Sequence, residues 1–192
     1  EGTPYFYDPV SGKWEAGDLS KVSLATNQSL FIVCRKGVSR RLHPPVLPRE
    51  EVPGPWVVRV PGFEPVEVAR LASLTDLPLP RAARCHAGDV VYETVLEGPA
   101  VGLDLGQVCG VAELEIYGVS MGIRWCTPYR WRLHLAEGKH QVRVRVTTTW
   151  RNRLIYEAGL PESERRSWTI AGPKADAPLV PAGLIGPVRI AR

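Results

Sequence analysis

Apolar and polar residues alternate with a period of two along most of the chain. Over 111–117, Ala112, Leu114 and Ile116 fall on one face, with Glu113 and Glu115 on the other. Over 141–147, Val142, Val144 and Val146 oppose Arg143 and Arg145, and Trp131, Leu133 and Leu135 alternate with Arg130, Arg132 and His134. Trp56, Val58 and Val60 repeat the pattern, as do Val101, Leu103 and Leu105. Successive side chains of a strand point to opposite faces, so each segment offers one face to a core and one to water. Two antiparallel sheets packed face to face use that pattern throughout. The expected fold is therefore all-β, an antiparallel β-sandwich. Helical periodicity is confined to two short stretches, 68–74 and 161–166.

Organisation is set by the breaks in the pattern. The stretch 37–54, with Arg40-Arg41, Pro44-Pro45, Pro48 and Pro53-Gly54, has no periodicity and reads as a Pro/Arg-rich linker. Before it, residues 1–36 hold about two strands, 5–8 and 24–34, too few for a core. After it, 55–192 is long enough for the sandwich itself. The irregular stretch 159–187 is expected to wrap the sandwich before a last strand at 188–190.

Composition narrows the class only slightly. Hydrophobic residues make up 44% and charged residues 23%, ordinary for a globular protein. The 18 Gly and 18 Pro suit short strands and turns. A net charge of +4 permits an acidic partner without demanding one. No apolar run reaches membrane-spanning length, so no membrane partner is expected. The start, Glu1-Gly2-Thr3-Pro4, has neither the basic flank nor the apolar stretch of a signal peptide.

The cysteines, Cys34, Cys85, Cys109 and Cys126, show no C-x-x-C spacing. Cys34 follows the apolar run Leu30-Phe31-Ile32-Val33 and reads as a buried free thiol. For the others, free thiols or one disulfide outweigh a zinc site, whose ligands come in closely spaced pairs. No metal or other cofactor is expected; a structural calcium ion would suit a sandwich, but no run of ligands indicates one.

Catalytic signatures are missing. There is no G-x-S-x-G elbow, P-loop, G-x-G-x-x-G or H-E-x-x-H. His134 and His140 read as ordinary surface histidines. Glu113 and Glu115 read as a solvent face paired with Arg143 and Arg145 rather than as a glycosidase pair. The aromatic residues are better candidates for chemistry, because sugar rings stack on Trp and Tyr faces while planar polar groups take the hydroxyls. Tyr117, Trp125, Tyr129, Trp150, Asn152 and Arg153 form that candidate set near strand ends. Packing outweighs ligand binding for the set as a whole, since Trp150 continues the apolar parity of Val142, Val144 and Val146.

Several words of the sequence are distinctive in combination: Leu103-Asp104-Leu105-Gly106-Gln107-Val108, Ala112-Glu113-Leu114-Glu115-Ile116-Tyr117-Gly118, Gly122-Ile123-Arg124-Trp125 and Pro128-Tyr129. Asn152-Arg153-Leu154 and the closing Pro181-Ala182-Gly183-Leu184-Ile185-Gly186-Pro187-Val188 come after them in order. Together they resemble the galactose-binding-like jelly-roll domain of glycoside hydrolases. The likeness is closest to the C-terminal region of α-L-rhamnosidase-type enzymes, with family 2 sugar-binding domains as cousins. Upstream, Tyr7-Asp8-Pro9-Val10-Ser11-Gly12 and Gln28-Ser29-Leu30-Phe31-Ile32-Val33 resemble the last strands of the β-domain that precedes this module. Two positions depart from the pattern: Tyr117 stands where Asn usually precedes Gly, and Leu74 comes after Ser73 where Trp is usual.

The resemblance implies a non-catalytic, carbohydrate-associated accessory or binding domain. Its partners would be a rhamnose- or galactose-containing glycan and the catalytic domain of a longer protein. The alternatives are a purely structural support between domains, and a basic sandwich that binds polyanions through Arg35–Arg41 and the arginines of 143–153, with nucleic acid an unfavoured ligand.

Overall fold

The alternating segments form strands, and their registers sort the charges as the pattern predicts. A computed structural model describes residues 2–9, 13–24, 29–36 and 50–192. These fall into two units, one of Glu1–Leu47 with Cys126–Pro128 and one of Pro48–Trp125 with Tyr129–Arg192. Of the stretch read as a linker, residues 37–49 lie outside the described residues. Its remaining residues include a two-residue strand and Val52, which is buried in the core of the larger unit.

The smaller unit contains three strands where two were expected: β1 (Thr3–Asp8), β2 (Lys13–Ala16) and β3 (Phe31–Arg35), in the antiparallel order β2-β1-β3. Tyr7 is the direct register partner of both Trp14 and Phe31. Their rings meet at centroid distances of 4.7 and 6.0 Å, so an aromatic row crosses all three strands. Cys34 corrects the sequence reading, because it is exposed rather than buried. It shares parity with Ile32, itself exposed, on the opposite face from that row. All four cysteines are free.

The larger unit is the sandwich. Its strands are β4 (Glu50–Glu51), β5 (Trp56–Arg59), β6 (Val66–Val68), β7 (Gly88–Asp104), β8 (Gln107–Cys109), β9 (Val111–Ile116), β10 (Val119–Arg124), β11 (Arg130–Thr148), β12 (Gly183–Gly186) and β13 (Arg189–Ala191). The sheet order β10-β9-β11-β7-β13-β4 is extended by β5 and β6 alongside β7, and β12 pairs with β8 separately. The long strands β7 and β11 run antiparallel to each other over most of their length. Their pairing shifts between Arg132 and Leu135 and again between Leu135 and Gly138, and such irregularities bend a sheet. On either side of the shifts β7 has different further neighbours, pairing with β5 at residues 91–93 and with β13 at 102–104.

One core collects the inward parity of these strands. Trp56, Val58, Tyr92, Leu103, Leu114, Leu133, Val144 and Leu184 are all essentially inaccessible to water. Leu103 and Leu105 are buried as predicted, but Val101 is exposed. Ala100 and Gly102 take the inward positions there, beside the bulged part of β11.

The helical expectations fail. Residues 66–68 form β6, and only single 3₁₀ turns, Leu74–Asp76 and Glu162–Glu164, lie after Ser73 and Pro161. The α-helices are instead α1 (Arg81–Arg84) and α2 (Arg151–Ala158). Helix α2 buries Asn152, Ile155 and Glu157. An inward face made of one apolar and two polar residues gives no hydrophobic stripe, so periodicity cannot reveal it.

Candidate functional site

The outward parity of the central strands builds a row of alternating charge. Arg143 on β11 is the direct register partner of Glu93 on β7 and of Glu115 on β9. Its guanidinium reaches Glu93 at 3.6 Å and Glu115 at 3.5 Å. The row continues at both ends: Arg59 Nε on β5 donates to Glu93 at 2.8 Å, and Arg145 Nη2 donates to Glu115 at 2.9 Å. Arg145 also lies 3.6 Å from Glu113. The expected pairing of Glu113 and Glu115 with Arg143 and Arg145 is thus borne out, but Glu115 is buried beneath its two arginines rather than on a solvent face.

This row forms part of the floor of a cleft of about 810 Å³. One rim is the turn between β9 and β10. Ile116 pairs with Val119, leaving Tyr117-Gly118 as a two-residue loop with φ of 51° and 78°. Positive φ at both positions is the primed hairpin turn that Asn-Gly ordinarily supplies. Tyr117 is the one non-glycine residue with positive φ among the described residues. A side chain in that region costs about 1–2 kcal/mol. Its hydroxyl offsets part of this by donating to the Lys139 carbonyl at 2.6 Å. Tyr117, 59% exposed, lines the cleft, and its ring meets the His140 imidazole edge-on at 5.8 Å.

His140 corrects its reading as a surface histidine. It is buried, with Nδ1 3.2 Å from the Tyr117 hydroxyl and Nε2 2.9 Å from the Ala136 carbonyl. At the opposite rim Arg192 grips Glu50 with two hydrogen bonds of 2.7 and 2.8 Å and donates to the Glu97 carbonyl. The Arg192 guanidinium holds the Glu50 carboxyl below its ordinary pKa.

The other sequence-predicted residues divide between exposed and internally engaged positions. Trp125, 65% exposed, comes directly after β10 at its Arg124 end. Trp150 is 59% exposed and not inward, because β11 ends at Thr148 and the chain turns into α2 before the strand parity reaches it. Arg124 pairs with Ala112, whereas Tyr117 lies just past Ile116, at the far end of β9. At about 3.3 Å per residue, β9 separates Tyr117 from Trp125 by more than 15 Å. Tyr129 is buried and its hydroxyl donates to the Gly110 carbonyl. Asn152 is buried and both ends of its amide bond the Val180 backbone, at 2.7 and 2.9 Å. Arg153 pairs with Glu157 and lies 5.5 Å from the Tyr156 ring centroid.

Three features escaped the sequence reading. Glu157, buried in α2, accepts from Arg153 Nε, from the backbone amides of Arg166 and Ser167 and from the Ser167 hydroxyl. Burial alone would raise its pKa, but the hydrogen bonds from Ser167 and Arg153 outweigh that and hold the carboxyl below its ordinary value. Just beyond this anchor, Trp168 and Ile170 are 85% and 90% exposed. In the core, the Tyr92 hydroxyl has no hydrogen-bond partner, and burial pushes its pKa up to about 12. Among the described residues no group of three or more His, Cys, Asp or Glu could hold a metal ion.

No family model matches the chain. The structure of a rhamnosidase from Novosphingobium sp. PP1Y superposes on 98% of the chain with a TM-score of 0.83 and 27% identity. The chain covers 20% of that rhamnosidase. A "putative beta-glucuronidase" of Formosa agariphila is 30% identical over 114 residues, which amount to 46% of the chain and 10% of that protein. The chain thus spans a fifth or less of the length of these two proteins. The expected all-β sandwich is borne out, and the chain is similar over nearly its whole length to one part of a much longer glycoside hydrolase.

Proposed function

We propose that this chain is a non-catalytic, carbohydrate-associated accessory domain of a rhamnosidase-like glycoside hydrolase. The observation that carries the reading is the match of 98% of the chain to only 20% of a rhamnosidase. A segment of that size supplies a domain to the enzyme, not the enzyme. The outward carboxylates support the same reading. A glycosidase needs two carboxyl groups flanking one bond, whereas Glu93 and Glu115 are each engaged by two arginines and have Arg143 between them.

Sugar contact in this reading falls to the exposed aromatics Tyr117, Trp125 and Trp150, with Tyr129, Asn152 and Arg153 supporting the backbone near the latter two. The polyanion alternative is weaker, because Arg143, Arg145 and Arg153 are all paired with carboxylates. Residues 37–41 of its other basic stretch lie outside the described residues. The test is an assay of the folded 192-residue chain on aryl rhamnosides and aryl glucuronides. No hydrolysis above the uncatalysed rate is expected, and turnover by the chain alone would overturn the reading.

A further inference from the structure

We propose that the cleft over the β5-β7-β11-β9 face is a binding site for a neutral oligosaccharide, with Tyr117 as its aromatic platform. The inference rests on the accessory-domain reading and goes beyond it by assigning a site and a ligand class. Its size, about 810 Å³, falls within the range of roughly 300–1,000 Å³ usual for small-ligand sites.

Three observations converge on the cleft. The first is the left-handed conformation of Tyr117. Backbone strain of this kind persists where the surroundings over-determine it and clusters at ligand-contacting positions. Here the Lys139 carbonyl and His140 fix the ring, so the aromatic side chain of a largely exposed residue lining the cleft is held in one place. A fixed platform binds a sugar ring with little loss of side-chain entropy.

The second is the floor. Glu93, Arg143 and Glu115 are locked to one another and to Arg59 and Arg145, so donors and acceptors stand at fixed positions a few ångströms apart. Vicinal hydroxyls donate and accept at once and match such an alternating row. Gln141, an uncharged amide on an exposed residue, and Lys139 also line the cleft.

The third is the balance of charge. Five carboxylates line the cleft (Glu50, Glu51, Glu93, Glu97 and Glu115) against three cationic side chains (Lys139, Arg143 and Arg192). Arg59 and Arg145 pair with Glu93 and Glu115 from beside the cleft, so the charges balance and Lys139 is the one lining cation without an ion pair among the described residues. Uronates and sulfated sugars would find the lining arginines already engaged by carboxylates, which disfavours them. A neutral glycan meets no such barrier.

The experiment is titration calorimetry on the 192-residue chain. The probes are neutral rhamnose- and galactose-containing oligosaccharides and, in parallel, oligogalacturonates of matched length. Saturable binding of a neutral probe is expected, with the uronate at least about tenfold weaker. Tyr117→Asn keeps a residue that tolerates left-handed φ and removes the platform, so it should weaken binding about tenfold or more in a chain that still unfolds cooperatively. Gln141→Ala, an exposed change, should weaken binding without touching the turn.

Uronate binding as tight as neutral binding would overturn the ligand class. Binding unaffected by both cleft variants but lost in Trp125→Ala or Trp150→Ala would overturn the cleft while leaving the accessory reading intact. No binding by the folded chain at millimolar glycan would overturn the site altogether. The hydrolysis assay tests the accessory reading independently of all three results.

Discussion

Replacing Glu157 by Ala isolates the anchor beneath the Trp168 loop. The carboxylate receives four hydrogen bonds and is almost inaccessible, so its loss strands the Arg166 and Ser167 amides, the Ser167 hydroxyl and the Arg153 guanidinium. Hydrogen bonds to a charged group contribute about 1.5–3 kcal/mol each, but the stranded donors lie near the surface and the bonds are not additive. Arg153 also keeps part of its solvent contact and its stacking on Tyr156. The expected loss is therefore about 2–3 kcal/mol rather than the sum.

If that loss is felt globally, the melting temperature falls by about 5–10 °C. If the loop opens on its own, trypsin cleavage after Arg165 and Arg166, read by mass spectrometry, accelerates by roughly 30- to 150-fold. The pH dependence has a definite sign. The folded carboxyl titrates below its ordinary value of 4.5, so the unfolded chain binds the proton first. Its contribution is complete above about pH 4.5 and is lost as pH falls through the folded value. The gap between wild type and Glu157→Ala should therefore be flat near neutrality and close in acid. A gap that persists unchanged at low pH, with unaltered cleavage at Arg165 and Arg166, would refute the anchoring role.

Two further outcomes are expected. Gly183→Ala would put a Cβ 2.1 Å from the Tyr92 hydroxyl at a φ of +81° and should cost about 3 kcal/mol or more in denaturant unfolding; Tyr92→Phe in the same background should restore the steric part but not the backbone strain. Trp168→Ser should leave the unfolding free energy within about 0.5 kcal/mol of wild type, since the residue is 85% exposed, and a larger drop would mean that it packs in solution.

Strand parity was the most legible layer of this fold. Trp56 and Val58, the Ala112–Leu114–Ile116 series and the Val142–Val144–Val146 series all face inward because burial of one sheet face fixes every second residue. Parity fails where a strand stops being a strand. Trp150 lies two residues past the end of β11, and Val101 lies where β7 passes the irregular part of β11. Helix α2 was illegible because its inward anchors are Asn152 and Glu157, whose partners lie 28 and about ten residues further along in irregular chain. Glu137-Gly138-Lys139 before His140 reads as a turn, whereas β11 runs through it, and His140 is buried with its ring nitrogens against Tyr117 and Ala136. Of the candidate site, the aromatic residue types were visible and the geometry was not. Tyr117 was noticed as a departure from Asn-Gly, and only the backbone reveals that it keeps the Asn-like conformation.

The central strands carry two separable jobs on their two faces. Inward valines and leucines of β7, β9 and β11 hold the sandwich together, so the outward residues are released from the core's size and polarity rules. Such a face could evolve a catalytic pair, and the register argues against one here. Pairing Glu93 and Glu115 to the same arginine places a guanidinium where a scissile glycosidic bond would have to lie between two carboxyls. The proposed glycan site uses the same arrangement, because ion pairs fixed by strand register present hydrogen-bonding groups without needing to reorganise on binding.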